Sequence, residues 1–104
     1  MKDGYGQFIW HDGSKYTGDW LDNKKHGQGT YVYNDGRIYT GTWDKNKMNG
    51  HGKFIWQNGS SYEGDYKEDR RHGYGVYKWI DGRRYEGHFV NGKQFGEGTF
   101  YEPG

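Results

Sequence analysis

The segment that decides the fold begins with Tyr-Thr-Gly-Asp-Trp at residues 16–20 and continues with Gly-Gln-Gly-Thr-Tyr at residues 27–31. In both blocks an aromatic residue or a glycine alternates with a polar residue, and a period of two is typical of β-strands. The tripeptide Asn34-Asp35-Gly36 follows, and an Asp-Gly pair between strands is typical of a tight turn. The segment therefore predicts a β-hairpin that turns directly into the next strand.

The same segment recurs along the whole chain with a period of 23 residues. We count positions 1 to 23 of each repeat from its first tyrosine, which is Tyr16, Tyr39, Tyr62 or Tyr85. The chain then divides into a half repeat, 1–15, and the repeats 16–38, 39–61, 62–84 and 85–104. This organisation predicts an all-β fold. We expect an elongated, single-layer antiparallel meander of about nine strands, built from repeated β-hairpins.

Composition excludes several other classes of protein. The chain has 104 residues, of which 20 are glycine and 11 are tyrosine, and it has no cysteine. Too few aliphatic residues remain for a helical bundle, and the aromatic content is too high for a disordered chain. The absence of cysteine excludes disulfides, thiolate metal sites and a cysteine nucleophile.

The spacing of the aromatic residues predicts which strand positions face each other. A four-residue loop at positions 8–11 would pair position 5 with 14, 3 with 16 and 1 with 18. The predicted neighbours in the first repeat are Trp20 with Gly29, Gly18 with Tyr31, and Tyr16 with Tyr33. A three-residue loop at positions 19–21, with its glycine in the left-handed conformation, would keep every ring on one face. No residues remain for a second layer, so we expect that face to be only partly enclosed.

These blocks resemble the MORN repeat (membrane occupation and recognition nexus), whose pattern is a Tyr-x-Gly-x-Trp block, a short basic loop, a His-Gly-x-Gly-x-Tyr block and an Asp-Gly turn. The resemblance covers residues 4–101. The family's histidine is matched by His26 and His72, whereas Asn49 and Phe95 replace it in the other repeats. The resemblance implies an elongated hairpin scaffold that binds proteins along a groove, dimerises or contacts acidic phospholipids. It also implies a cytoplasmic location at the cytoskeleton, a cilium or a membrane.

The aromatic face is the first candidate binding surface. Large exposed apolar patches mark interaction sites, and Trp and Tyr are frequent binding anchors. The residues that we predict to bind a partner protein, as a peptide or helix in a groove, are Trp20, Trp43, Tyr66, Phe89, Tyr31, Phe54, Tyr77, Trp56 and Trp79. The alternative is that these rings only form the core of the sheet.

The basic loops are the second candidate surface. Positions 6–10 of each repeat carry a net charge of +1, which places a row of cations on one edge of the sheet. The candidate lipid-binding residues are Lys24, Lys25, Lys47, Arg70, Arg71 and Lys93. Such a row can attract anionic lipid, at about 1 kcal/mol per cation. The alternative is that these charges serve solubility.

The sequence predicts no catalytic residue, no metal site and no cofactor, and therefore no enzyme. His26 and His72 share a repeat position but lie four strands apart, roughly 19 Å, so one metal ion could not bind both. We expect no nucleic acid partner, because the cations are predicted at the loop edge and not among the rings.

The outer strands predict where the chain could associate with a second copy. The predicted strand Gly4–Trp10 has no upstream partner, and Phe8 and Trp10 end the aromatic face there. Exposed strand edges favour pairing with another chain, so we predict a homodimer or partner docking at Phe8 and Trp10. The other edge is predicted to be protected by Glu102 and Pro103.

Overall fold

A computed structural model describes residues 3–103, which form nine antiparallel strands in a single open sheet. The strands are β1 (Gly4–Ile9), β2 (Lys15–Leu21), β3 (Lys24–Val32), β4 (Ile38–Asp44), β5 (Lys47–Ile55), β6 (Ser61–Lys67), β7 (Arg70–Lys78), β8 (Arg84–Val90) and β9 (Lys93–Tyr101). Their order in the sheet is their order in the chain, so the fold is a meander. The predicted fold class is confirmed.

The sheet is long and thin, with extents of 48 × 24 × 17 Å. Each strand makes most of its contacts with the strands before and after it in the chain, as expected for a repeat array. Among residues 3–103 there is no helix long and apolar enough to cross a membrane. The long axis follows the strand order, so equivalent side chains of successive repeats form rows along the molecule.

The turns between repeats have the predicted three-residue form. Tyr33 N donates to Arg37 O at 2.8 Å, and Gly36 N donates to Tyr33 O at 3.0 Å, so these bonds close the loop 34–36. Gly36 has a φ of 98°, in the left-handed region that glycine adopts without strain. Equivalent bonds close the turns after Trp10, Trp56 and Trp79. The prediction for this turn is confirmed.

The predicted pairing within each repeat is wrong. Tyr16 faces Tyr31, Gly18 faces Gly29, and the hairpin ends in a two-residue turn between Leu21 and Lys24. Asp22 and Asn23 occupy that turn with φ values of 50° and 65°, as a type I′ turn requires. Asparagine, aspartate and glycine tolerate this conformation, and every repeat has one of them at position 8.

A β-bulge restores the alignment beyond the turn. Between the pairs Gly18–Gly29 and Trp20–Lys25, β2 has one residue and β3 has three. The first glycine of the second block, Gly27, lies in this bulge with a φ of 74°. Two extra residues leave the side-chain alternation unchanged, so the rings of positions 5 and 16 still share a face. The Tyr31 and Trp43 ring centroids lie 6.1 Å apart, which confirms the shared aromatic face.

Glycines form a continuous row across all nine strands. The row consists of Gly6, Gly18, Gly29, Gly41, Gly52, Gly64, Gly75, Gly87 and Gly98. In each full repeat the tyrosine at position 1 lies over the glycine at position 14, where a Cβ atom would overlap its ring. The row gives the tyrosines a flat surface on which to pack, and this is why small residues recur there.

The two outer strands differ from each other in exposure. Phe8 and Trp10 are only partly exposed, because they pack against the aromatic core. By contrast, every residue of β9 is exposed, including Phe95 and Phe100 at 63 % and 59 %. Pro103 lies against the last turn, near Gly82. Self-association at Phe8 and Trp10, and protection of the other edge by Glu102 and Pro103, stay predictions.

Candidate functional site

The aromatic face has two inner rows of rings that are almost completely buried. We call the rings at positions 1 and 5 the inner rings. They are Tyr16, Trp20, Tyr39, Trp43, Tyr62, Tyr66, Tyr85 and Phe89, and none is more than 7 % exposed. The expectation of partial enclosure is wrong for these rows, because the rings and the hairpin tips cover one another without a second layer.

The inner rings bury themselves by edge-to-face packing between repeats. The ring of Tyr39 lies 5.0 Å from Trp43 and 5.3 Å from Tyr66 of the next repeat, at interplanar angles of 84°. This geometry suits the charge distribution of aromatic rings. The Tyr39 hydroxyl donates to Thr42 O at 3.0 Å, and Trp43 Nε1 donates to Gly29 O at 3.2 Å. The polar atoms of these buried rings are thus satisfied by the backbone.

Residues at position 10 cover the inner rings from above. The two-residue turn pairs position 10 with position 5, so its side chain points to the aromatic face. Met48 is 8 % exposed and belongs to the core. Lys25 Nζ lies 5.2 Å from the ring centroids of both Tyr31 and Trp43. Burial among these rings lowers the pKa of Lys25, an effect that the nearby charge of Asp69 partly opposes.

The hairpin tips of successive repeats are joined by reciprocal hydrogen bonds. Asn46 N donates to Lys25 O at 3.0 Å, while Lys25 N donates to Asn46 Oδ1 at 2.8 Å. Asp69 and Met48 make the same pair of bonds one repeat later, at 2.9 and 2.8 Å. In the last repeat Gly92 has no side chain, and Arg71 Nη2 donates to Gly92 O at 2.7 Å instead. These bonds hold the tips in line along one side of the aromatic face.

The rings at positions 16 and 18 form the accessible part of the face. We call them the outer rings: Phe8, Trp10, Tyr31, Tyr33, Phe54, Trp56, Tyr77, Trp79 and Phe100. All are partly or largely exposed except Phe54. Neighbouring rings contact each other along the array, as Trp56 and Tyr77 do at 5.5 Å. The outer rings therefore form one continuous aromatic surface along the molecule.

The nine predicted protein-binding rings fall into two groups. Trp20, Trp43, Tyr66, Phe89 and Phe54 are buried, so they support the surface from below. Tyr31, Trp56, Tyr77 and Trp79 remain accessible, and their role in binding stays a prediction. Sequence reasoning omitted Tyr33, although it shares position 18 with two of the predicted tryptophans.

Grooves lie between the outer rings and the hairpin tips. One, of about 370 Å³, is lined by Phe8, Trp10, Trp20, Asn23, Lys25 and Asn46. A second, of about 310 Å³, lies around Met48, Phe54 and Trp56. A third, of about 470 Å³, lies around Arg71, Tyr77 and Trp79. Their walls are aromatic below and polar at the tips, a combination suited to holding an amphipathic partner.

The six predicted lipid-binding cations do not form one row. Lys24, Lys47, Arg70 and Lys93, all at position 9, are exposed at the edge of the sheet. Lys25 and Arg71 instead lie over the rings, and the Arg71 guanidinium is 5.7 Å from the Tyr77 centroid. The prediction that the cations lie away from the rings is therefore wrong for these two residues. The cause is the shorter hairpin turn, which moves position 10 out of the loop and into the strand.

The opposite face of the sheet is polar and mixed in charge. A shallow cavity of about 450 Å³ there is lined by acidic, basic and hydroxyl side chains together with Tyr74. His51 Nε2 lies 3.5 Å from Glu63 Oε2, and Arg84 Nε donates to Glu86 Oε2 at 2.7 Å. These opposite charges neutralise one another locally. We therefore expect the polar face to be less selective among ligands than the aromatic face.

Histidine and carboxylate side chains do not assemble into a metal site in the described part of the chain. His26 Nδ1 lies 3.6 Å from Asp44 Oδ1 and has no hydrogen-bond partner.

Comparison with protein families agrees with this architecture. The model of the MORN repeat matches residues 1–15, 16–36, 39–61, 62–83 and 85–104. No curated protein matches the chain. The MORN repeat is a non-enzymatic repeat module that generally mediates protein or membrane interactions. Because its matches cover almost the entire sequence, the chain belongs to the MORN-repeat family.

Proposed function

We propose that this chain is a non-catalytic scaffold that binds a partner protein along its outer rings. The observation that carries the proposal is the continuous aromatic surface, partly exposed along the array and held in place by buried inner rings. A rigid aromatic surface loses little conformational entropy on binding, which favours affinity. In a cell, such a scaffold would connect its partner to a cytoplasmic structure such as the cytoskeleton, a cilium or a membrane. Self-association through an outer strand would join two such binding surfaces in one assembly and so strengthen binding to a partner with two sites.

Peptide selection tests the role of the outer rings. Peptides selected from a random displayed library for binding to the chain should lose affinity when Trp56 and Trp79 are both replaced by alanine. Aromatic hot spots contribute about 2 kcal/mol or more, so we expect a loss of roughly 30-fold or more. The measurement is a titration monitored by fluorescence anisotropy of the labelled peptide.

Tyr74 provides the matched control for this test. It is a large aromatic residue, 50 % exposed, and it lines the cavity on the polar face. Replacing Tyr74 by alanine should leave peptide affinity unchanged. Equal affinity for the wild-type chain and the Trp56→Ala, Trp79→Ala variant would rule out the aromatic face as the binding surface.

Contact with acidic phospholipid is the second candidate function, and the position-9 cations favour it. Lys24, Lys47, Arg70 and Lys93 are exposed along one edge, and Leu21 beside Lys24 is 49 % exposed. Four cations would contribute about 4 kcal/mol at an anionic surface. Asp44 faces Lys47 across the hairpin and reduces this attraction.

Vesicle sedimentation tests the lipid candidate. If the edge binds lipid, the wild-type chain should sediment with phosphatidylserine vesicles, and replacing the four position-9 cations by serine should abolish this. Binding should weaken with added salt, because screening acts over about 8 Å at physiological ionic strength. Equal sedimentation with neutral phosphatidylcholine vesicles would contradict an electrostatic contact.

A further inference from the structure

Two cations lie among the rings of the aromatic face without a carboxylate partner. Lys25 Nζ lies within 6.0 Å of four ring centroids, and the Arg71 guanidinium within 5.8 Å of three. Both side chains are partly buried. Cation–π contacts stabilise a charge in this position without using its N–H donors, of which Arg71 Nη2 donates to Gly92 O. Each of these residues can therefore donate to an oxygen that approaches over the grooves.

In the described part of the chain, two other cations touch outer rings, and both are already neutralised. Arg37 Nε donates to Asp35 Oδ2, and Arg83 Nε donates to Asp81 Oδ2, both at 2.8 Å. Among residues 3–103, no ion pair to a carboxylate includes Lys25 or Arg71. Asp69, whose charge acts on Lys25 without a direct ion pair, accepts a hydrogen bond from Met48 N. The aromatic face thus presents two partly buried positive charges that make no direct ion pair with a carboxylate in the described part of the chain.

The two cations flank an apolar centre. Lys25 belongs to β3 and Arg71 to β7, four strand spacings or roughly 19 Å apart. Midway between them, the equivalent position holds Met48, and the groove around it is lined by Phe54 and Tyr66 as well as by Arg37 and Asp69. The order of the position-10 side chains along the face is therefore cation, apolar, cation. This order arises because position 10 is Lys, Met and Arg in successive repeats.

We infer that the partner is an acidic amphipathic peptide segment, with an apolar centre over Met48 and one carboxylate at each end, on Lys25 and Arg71. This inference rests on the proposed function and specifies the chemistry of the ligand. The spacing corresponds to about six residues of extended chain or about 13 residues of helix. Carboxylates are the expected partners, because charge-assisted hydrogen bonds to partly buried cations are strong and directional.

The same arrangement does not fit a nucleic acid or a membrane surface. Single-stranded nucleic acids carry a phosphate at every nucleotide and require cations along the whole groove, whereas the groove around Met48 includes the acid Asp69 beside its apolar residues. A bilayer surface would meet the position-9 cations at the edge before it reached Lys25 and Arg71, which lie over the rings. A peptide segment can enter the groove and present carboxylates at two separate points.

The experiment measures how two double substitutions change the affinity of peptides selected on the wild-type chain. The peptides come from a displayed random library and are about 18 residues long, enough to span roughly 19 Å as a helix. The test variant carries Lys25→Met and Arg71→Met, which reproduce the side chain that the fold already accepts at Met48. The control variant carries Lys24→Met and Lys47→Met, which remove two exposed charges at the edge, outside the three grooves. Thermal unfolding of both variants verifies that they fold.

We expect peptides selected on the wild-type chain to be enriched in Asp and Glu on both sides of an apolar segment. Their affinity should fall roughly tenfold for each cation lost in the test variant, and little in the control variant. Their affinity should also fall for the Trp56→Ala, Trp79→Ala variant, which verifies that they occupy the outer rings.

Three results would overturn the inference. Selected peptides that require Trp56 and Trp79, but lack acidic residues and bind the test variant unchanged, would contradict the ligand chemistry while the proposed function stands. A failure to select any peptide dependent on these tryptophans would contradict both. Binding to phosphatidylserine vesicles that depends on Lys25 and Arg71 and displaces the peptides would assign the two cations to lipid.

Discussion

Replacing Gly52 by alanine is expected to destabilise the sheet by about 3–5 kcal/mol, beyond the usual range for overpacking. A Cβ atom at Gly52 would overlap the Tyr39 ring, which is completely buried and held by its hydroxyl bond to Thr42 O. The ring cannot move away, because Trp43 and Tyr66 pack against its two sides. For a chain of this length the melting temperature should fall by about 15 °C or more.

Gly6 provides a control at the same repeat position. Gly6 is the position-14 glycine of the half repeat, and the nearest atoms to an added Cβ belong to Trp20, at 3.8 Å. Alanine there should change the melting temperature by only a few degrees, since ordinary contacts leave space for a methyl group. Equal effects of Gly6→Ala and Gly52→Ala in thermal unfolding followed by near-ultraviolet circular dichroism would mean that the tyrosine–glycine contact is not the cause.

Alkaline pH is expected to unfold the chain cooperatively between about pH 10 and pH 12. Burial, together with the nearby charge of Asp19, raises the pKa of Tyr16 to about 12. Burial and Asp65 have the same effect on Tyr62, whose pKa is also about 12, and burial raises the pKa of Tyr39 and Tyr66 well above the ordinary value of 10.0. Above that ordinary value the unfolded chain loses protons that the folded chain retains, so stability falls as pH rises.

The size of this effect follows from the number of buried phenols. Each buried phenol lowers the free energy of unfolding by about 1.4 kcal/mol per pH unit above the unfolded pKa. Four of them together lower it by about 5 kcal/mol per unit. That is comparable with the total stability of a small domain, about 5–15 kcal/mol. Tyrosinate absorbance should therefore rise in a steep step that coincides with a loss of near-ultraviolet circular dichroism.

An exposed tyrosine supplies the control for this experiment. Tyr5 is 77 % exposed and does not belong to the inner rings. Replacing Tyr5 by phenylalanine should leave the cooperative step unchanged. A single gradual titration of all phenols near pH 10, with the tertiary signal intact, would contradict the burial of the inner rings.

Much of this fold could be read from the repeat pattern. Alternation with a period of two assigns the strands and the shared aromatic face, because each side chain of a strand points opposite to its neighbours. Keeping every ring on that face then required an odd-numbered loop between repeats, which Asn34-Asp35-Gly36 forms. These conclusions depend only on local geometry and parity, so they hold without knowledge of any distant contact.

The arrangement of the hairpin tips could not be obtained in this way. A four-residue loop and a two-residue turn followed by a bulge both keep the rings of position 5 and position 16 on one face. The difference between them depends on left-handed residues at positions 7 and 8, and on bonds such as Asp69 N to Met48 O between successive repeats. Contacts of this kind do not follow from the alternation of side chains between the two faces of the sheet.

The candidate site in the structure differs from the predicted one for the same reason. The sequence by itself determined that a row of aromatic rings and a set of cations run along the molecule. Only the tertiary structure decided that the inner rings are buried and that Lys25 and Arg71 leave the basic edge for the aromatic face. The physical reason is that burial depends on packing between strands, where each position-1 tyrosine lies over a glycine of the neighbouring strand and each position-10 side chain covers the rings beside it.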